Sequence, residues 1–185
     1  MASSRLSKLV ALLAAIALVA AAQAPGRVRG TISGFDGKTL TVDGKTEVLI
    51  GDKTEIVFMQ PIALAEIRAG DFLGVTSRKN SDGTLTASDV RRLPKPLNPG
   101  HRPFDGRDDQ TMTNATVTLL AQASSGRELT LGYEGGSQKI VVPETASISA
   151  LVPGTRAQLV RGAPVSLTMD ASGTALRLQV GPPKL

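Results

Sequence analysis

The sequence predicts an all-β protein made of two tandem, small antiparallel barrels of the OB-like type that follow a cleaved signal peptide. Three observations support this prediction. Turn dipeptides recur at strand-length intervals, and β-branched residues alternate with polar residues between them. The same order of segments also occurs twice along the chain. A single larger β-sandwich is the alternative architecture.

The N-terminal segment, residues 1–22, has the three-part layout of a secretory signal peptide. Arg5 and Lys8 form a positive head, Leu9 to Ala22 is an apolar run, and small residues with A-x-A spacing end it. A helix needs about 20 apolar residues to cross a bilayer, and this run is shorter. We therefore expect export to the periplasm or the medium, with no membrane span in the mature chain. A retained N-terminal anchor is the alternative.

Residues 26–93 form the first predicted module. Asp36-Gly37 and Asp43-Gly44 are dipeptides that supply positive φ in tight hairpins. The stretch "PIALAEIRAGD" interrupts the strand pattern with one helical turn, and Asn80 to Gly83 joins two further strands. Five or six short strands in a stretch of this length are typical of a closed or nearly closed barrel, because closure removes exposed edges.

Residues 114–182 form the second predicted module, and they repeat the order of the first. "ELTLGYEGG" echoes "TLTVDG", "SQKIVVPETASI" echoes "TEVLIGDKTEI", and "LVRGAPVSLTMDASGTALRLQV" echoes "IRAGDFLGVTSRKNSDGTLTASDVRRL". The offsets are 89, 92 and 90 residues (129 − 40, 159 − 67 and 174 − 84). The nearly constant offset indicates an internal duplication. Because a domain of about 60 residues buries only about 60% of its unfolded surface, we expect the two modules to pack against each other.

Between the modules, residues 94–113 are predicted to be a Pro-rich bridging loop, since four prolines within ten residues exclude a helix or a central strand. This bridge contains the only histidine of the chain. Its segment "GHRPFD" supplies the candidate ligand or interface residues, which are His101, Arg102, Phe104 and Asp105.

Three roles are open for the bridge. Phe104 is an apolar ring in a polar stretch, and it would bury itself as a clasp across both modules. Pairing of Arg102 with Asp105, or of Arg107 with Asp108 and Asp109, would fix this compact loop. His101 could bind a metal with Asp105 or Asp108, using imidazole and oxygen ligands. The loop could also be a surface for a partner or ligand. The clasp is the interpretation that we favour.

Composition excludes several kinds of chemistry. The chain has no cysteine, so disulfides, zinc-thiolate sites and thiol catalysis are absent. Removal of the leader lowers the net charge from +5 to +3 (5 − 2), a mild balance.

We expect no nucleic-acid binding, because single-strand binders use several exposed aromatic rings and a core would claim most of the five present here. Arg91, Arg92 and Lys95 form a small basic patch, interpreted as a solubility feature.

We also expect no enzymatic activity and no cofactor. No Gly-x-Ser-x-Gly elbow occurs, and the glycine clusters are not followed by the Gly-Lys-Ser/Thr of a phosphate loop. A hydrolase whose groups assemble only in three dimensions is the remaining catalytic alternative.

Several motifs resemble a family of small exported bacterial proteins. These are "VRGTISGFDGKTLTV", "IRAGDFLGVTSRKNSDGTLTASDV", "GHRPFD" with the following "TMTNATV", and "KIVVP". The family's domain carries a domain-of-unknown-function label, and its members are often named automatically as metal ABC transporter permeases. The resemblance implies an exported tandem β-barrel protein with a GHRP(F/W)D bridge, and it implies no activity. The permease name does not fit this chain, because a permease needs several membrane spans.

The sequence therefore predicts an exported, periplasmic, non-catalytic β-barrel protein that binds an unknown envelope protein or small ligand. The alternatives are a purely structural cell-envelope protein and a weak metal-binding accessory protein that uses the His101 loop.

Overall fold

The computed structural model describes residues 26–123 and 126–183, and in this part of the chain the fold is all-β, as predicted. Two short 3-10 turns, Leu64–Glu66 and Arg156–Gln158, are its only helical segments. The thirteen strands are β1 (Arg27–Phe35), β2 (Thr39–Val42), β3 (Thr46–Leu49), β4 (Glu55–Pro61), β5 (Phe72–Lys79), β6 (Leu85–Arg92), β7 (Gly100–Phe104), β8 (Arg107–Ala123), β9 (Gly126–Tyr133), β10 (Gly136–Val142), β11 (Ser147–Pro153), β12 (Pro164–Met169) and β13 (Ala175–Val180).

The predicted signal peptide, residues 1–22, lies outside the described residues, so export stays a prediction. Within residues 26–123 and 126–183, no helix has the length and apolar character needed to span a membrane.

The strands form one large mixed sheet in the order β10-β9-β8-β5-β6-β11-β4-β13-β12-β1-β2-β3, and β7 pairs with β8. At one end, β10 pairs with β6 as well as with β9. At the other end, Leu49 of β3 bridges Thr174, which directly precedes β13. The pairing therefore contains two circuits of five strands. The first circuit is β13-β12-β1-β2-β3, and the second circuit is β6-β5-β8-β9-β10.

The pairing has an approximate twofold arrangement. At its centre β4 and β11 are antiparallel, and Met59 lies opposite Leu151, 92 residues further along the chain. Ile62 N donates to Ile148 O at 3.2 Å, and Gly154 N donates to Ile56 O at 2.9 Å. The two donors, Ile62 and Gly154, are 92 residues apart, and the two acceptors, Ile56 and Ile148, are also 92 residues apart. Hydrogen bonds on the two sides of the centre are thus equivalent.

Two hydrophobic clusters lie within the two circuits, and each cluster takes strands from both halves of the chain. Strands β1–β3 pack with β12 and β13, whereas β5 and β6 pack with β8–β10. The predicted module boundaries, 26–93 and 114–182, therefore do not separate the clusters. The physical reason is that three consecutive strands cannot enclose a core, and each circuit is completed by two strands from the other half.

The local turns lie where the sequence predicts them. Asp43 and Gly44 have φ values of 51° and 70° between β2 and β3, the positive values that an Asp-Gly turn requires. Asn80 N donates to Thr84 O at 2.9 Å across the predicted turn between β5 and β6. The helical turn in "PIALAEIRAGD" is the 3-10 turn Leu64–Glu66.

The bridge between the modules is only partly a loop. Residues 94–99 lie outside strands, but residues 100–113 form β7 and the start of β8, paired with Gly100 opposite Asn114. Asp105 and Gly106 make the turn, with φ values of 58° and 67°. Proline is tolerated because β7 pairs only with β8 among the described strands, so the missing N–H of Pro103 can point away from the ladder. Residues 100–113 are therefore paired strands instead of the predicted loop.

Candidate functional site

A groove lies on the face of the central strands that points away from both hydrophobic clusters. Side chains alternate between the faces of a strand, so Asp89 and Arg91 face this groove while Val90 between them is buried in the second cluster. The groove consists of two adjoining cavities of about 450 and 260 Å³. Five residues line both cavities: Arg27, Asp89, Arg91, Phe104 and Met112.

The groove lies over the centre of the twofold arrangement. Met59 of β4 lines one cavity, and Leu151 of β11, its partner across the centre, lines the other. Arg91 Nη1 on β6 donates to Gln179 Oε1 on β13 at 2.9 Å. Arg91 also forms an ion pair with Asp89 at 2.6 Å. These contacts connect the two halves of the sheet across the floor of the groove.

Arginine dominates the charge of the groove. The lining includes five arginines and two aspartates, namely Arg27, Arg29, Arg91, Arg102 and Arg177 with Asp89 and Asp105. None of the ion pairs among the described residues includes Arg27. Partial burial and the charges of Arg29 and Arg91 lower the pKa of Arg27, while the charge of Asp105 acts in the opposite direction. The groove therefore has a surplus of positive charge.

The hairpin of β7 and β8 reaches across this groove. The guanidinium of Arg29 lies over the ring of Phe104, 5.6 Å from its centroid, as in a cation–π contact. Arg29 Nη1 and Nη2 also donate to the two carboxylate oxygens of Asp105 at 2.5 and 3.1 Å, a bidentate geometry. Since β1 belongs to the first circuit and β7 extends the second, these contacts join the two circuits.

The segment before β7 is held by Asn114. Its Nδ2 donates to Leu97 O at 2.8 Å and to Asn98 O at 3.2 Å. Arg102 Nη1 also donates to Asn98 O at 3.1 Å. These bonds place Leu97 and Asn98 along the wall of the second cavity.

His101 does not line the groove. Its Nδ1 shares a 2.8 Å hydrogen bond with Thr113 Oγ1, and Thr113 is fully buried. Burial, and to a smaller extent the charge of Lys79, lowers the pKa of His101 from its usual 6.5. Within residues 26–123 and 126–183, no three His, Asp or Glu side chains are placed to hold a metal. Asp105, one of the predicted metal partners, is bound by Arg29.

The four candidate residues thus have different positions. Phe104 and Asp105 line the first cavity, and Phe104 and Arg102 line the second, while His101 faces the other side of β7. The predicted pair of Arg102 with Asp105 does not form, whereas the alternative pair of Arg107 with Asp109 forms at 3.2 Å. Asp105 lies in the hairpin turn and meets Arg29 of β1 instead.

Sequence reasoning missed Arg27 and Arg29, and it treated Arg91 as part of a solubility patch. The spacing of Arg27 and Arg29, two residues apart on a strand, was a usable signal because it places both charges on one face. Nothing local indicated that Arg91 would lie beside them, since β1 and β6 belong to different circuits.

Fold and groove together define an all-β protein with two pseudo-equivalent halves and an arginine-lined groove at their centre. A domain of unknown function (DUF5666) is found at residues 29–91. This match covers about a third of the chain. It extends from β1, without the first two residues of that strand, to β6, without its last residue. No curated protein and no solved structure matches the chain. The predicted resemblance is supported at this level, and the bacterial origin, the tandem barrels and the permease naming stay predictions.

Proposed function

We propose that this chain is an exported, non-catalytic binding protein whose central groove holds an acidic ligand. Its two circuits are small OB-like barrels that arose by internal duplication. The barrels are supported by the cyclic strand pairing and by a separate hydrophobic cluster within each circuit. The duplication is supported by the offset of 92 residues between equivalent hydrogen bonds. Export to the periplasm or medium is supported by the layout of residues 1–22.

The observation that carries the ligand class is the surplus of arginine in the groove. Guanidinium groups bind carboxylates and phosphates through paired hydrogen bonds, and they are weakly hydrated compared with ammonium groups. Arg27 is exposed and lies near two other arginines, so an anion placed there would relieve their repulsion. An acidic segment of an envelope protein, or a small polyanion, has the matching chemistry.

The test is a calorimetric titration of the mature protein with two probes, a hexaglutamate peptide and pyrophosphate, at low and at high salt. We expect binding that weakens with salt, and an affinity reduced by up to about fivefold in Arg27→Gln, since one ion pair contributes up to about 1 kcal/mol. Arg161→Gln is the matched control because Arg161 is exposed and outside the groove. Failure of both probes to bind at low salt, or equal losses in the two variants, would refute the acidic ligand.

A second candidate function is a structural envelope protein in which the hairpin clasps the two circuits. The contacts of Arg29 with Phe104 and Asp105 favour it, because they connect elements of different circuits. Such a role needs the hairpin to stabilise the fold and needs no ligand in the groove.

A further inference from the structure

The two 3-10 turns lie at equivalent places in the two halves, but their first residues differ. Arg156 begins one turn, and Leu64, 92 residues earlier, begins the other. Arg156 Nη1 donates to Gly37 O at 3.0 Å, and its Nη2 lies 3.2 Å from both Ile50 O and Asp52 Oδ1. Arg156 therefore fills the recess between its own turn and the segment that follows β3.

The equivalent recess in the other half is open. It is a cavity of about 460 Å³ between the turn Leu64–Glu66 and the segment that follows β10. Val142 and Glu144 line it, and they lie 92 residues from Ile50 and Asp52, the two acceptors next to Arg156 Nη2. Residues that can supply a main-chain carbonyl and a carboxylate thus occupy the same two positions, while Leu64 stands in place of the arginine.

Part of the wall of the open recess is apolar. Ile62, Leu64 and Ile148 are half-buried side chains that line it. At the position of Ile62 the filled half has Gly154, where an added Cβ would come within 2.9 Å of Ile56. The open recess therefore has room and apolar surface for the stem of a long side chain and for an apolar neighbour.

One cation already lines the open recess, and its position matters. Arg127 lies on β9 opposite Val142, and Lys38 has the matching position opposite Ile50, where Lys38 O accepts from Ile50 N at 2.8 Å. In the filled half, Lys38 and Arg156 are both present. A basic residue at this strand position therefore occurs in both halves, including the half in which an arginine fills the recess.

We propose that the open recess binds an arginine side chain presented by a partner polypeptide, with an apolar residue beside it. The arginine takes the position that Arg156 takes within this chain in the other half. This site is separate from the central groove. It binds a positively charged side chain, whereas the groove binds an acidic ligand.

The test uses the blocked peptide Ac-Leu-Arg-Leu-amide and methyl NMR spectra of the full mature chain. We expect saturable shifts at Ile62, Leu64 and Ile148. The binding should weaken about threefold to fivefold when Glu144→Gln removes the carboxylate, since an exposed ion pair contributes at most about 1 kcal/mol. A peptide with neutral citrulline in place of arginine should weaken by a similar factor. Arg156→Leu opens the recess that Arg156 fills in the parent protein, and it should add a second set of shifts at Ile56.

Glu144 is exposed, so its substitution leaves the fold intact and decides the proposal by itself. Leu64→Arg supplies the missing arginine within the chain and should abolish peptide binding. The proposal is wrong if no shift occurs at the three residues up to about 10 mM peptide. It is also wrong if the citrulline peptide binds as well as the arginine peptide, which would indicate a purely apolar partner, or if Glu144→Gln leaves the affinity unchanged.

Discussion

At the residue scale, Asp105 is the clearest link between the hairpin and β1. The hydrogen bonds from Arg29, with smaller contributions from the charges of Arg29, Arg27 and Arg107, hold the pKa of Asp105 below its usual 3.8. Because the folded-state pKa is lowered, the ionised carboxylate contributes stability above about pH 4. This contribution is lost as the pH falls through the folded-state pKa.

We therefore expect Asp105→Asn to lower the melting temperature near pH 7 and to have a progressively smaller effect below pH 3.8. Asparagine keeps the shape and tolerates the positive φ of 58° at this turn position, so the change tests the charge. Thermal unfolding of the parent protein and the variant between about pH 7 and pH 2.5 measures the effect.

Arg29→Gln provides the control for this pair. In that background, Asp105→Asn should have little effect at any pH, because the main partner of the carboxylate is gone. If Asp105→Asn changes the melting temperature of the parent protein by the same amount at every pH, the ion pair does not stabilise the fold.

At the element scale, the hairpin of β7 and β8 shows where local sequence signals succeed and fail. The sequence correctly predicts a hairpin turn at Asp43-Gly44, and Asp105-Gly106 is the same dipeptide with similar positive φ values. The second turn was missed because four nearby prolines argued against strands on either side of it. Proline excludes a central strand, but it permits an edge strand, and sequence alone does not state which strand will lie at an edge.

If this hairpin is a clasp, Phe104→Ala should destabilise the protein. Full burial of phenylalanine would give about 3–5 kcal/mol, and the half-buried ring should give roughly 1–2 kcal/mol. Urea unfolding measures this change in the free energy of unfolding. Leu176→Ala is the control, since Leu176 is 57% exposed and should change stability by less than about 0.5 kcal/mol. An equally small value for Phe104→Ala would argue against the clasp.

At the scale of the whole molecule, the sequence specifies the strands better than their partners. Alternation and turn dipeptides predict strands in both halves and the fold class. They do not distinguish the observed pairing of β1 with β12 from closure within one half, because β5 and β12 carry similar patterns and begin 92 residues apart. The groove was missed for the same reason, since its arginines come together only through this exchange of strands.

Because each circuit takes two strands from the other half of the chain, the pairing can be tested on the separated halves. If the chain is cut after Lys95, in the segment before β7, the fragment 26–95 retains β1–β3 but lacks β12 and β13, with which they enclose Ile32, Leu40 and Leu178. We expect neither 26–95 nor 96–183 to unfold cooperatively as a monomer. An equimolar mixture should refold into a 1:1 complex with the spectrum of the intact protein, because each core then regains its missing strands. Sedimentation and circular dichroism measure both outcomes. A monomeric 26–95 that melts cooperatively by itself would mean that the first half closes its own barrel, and the exchanged pairing would then be wrong.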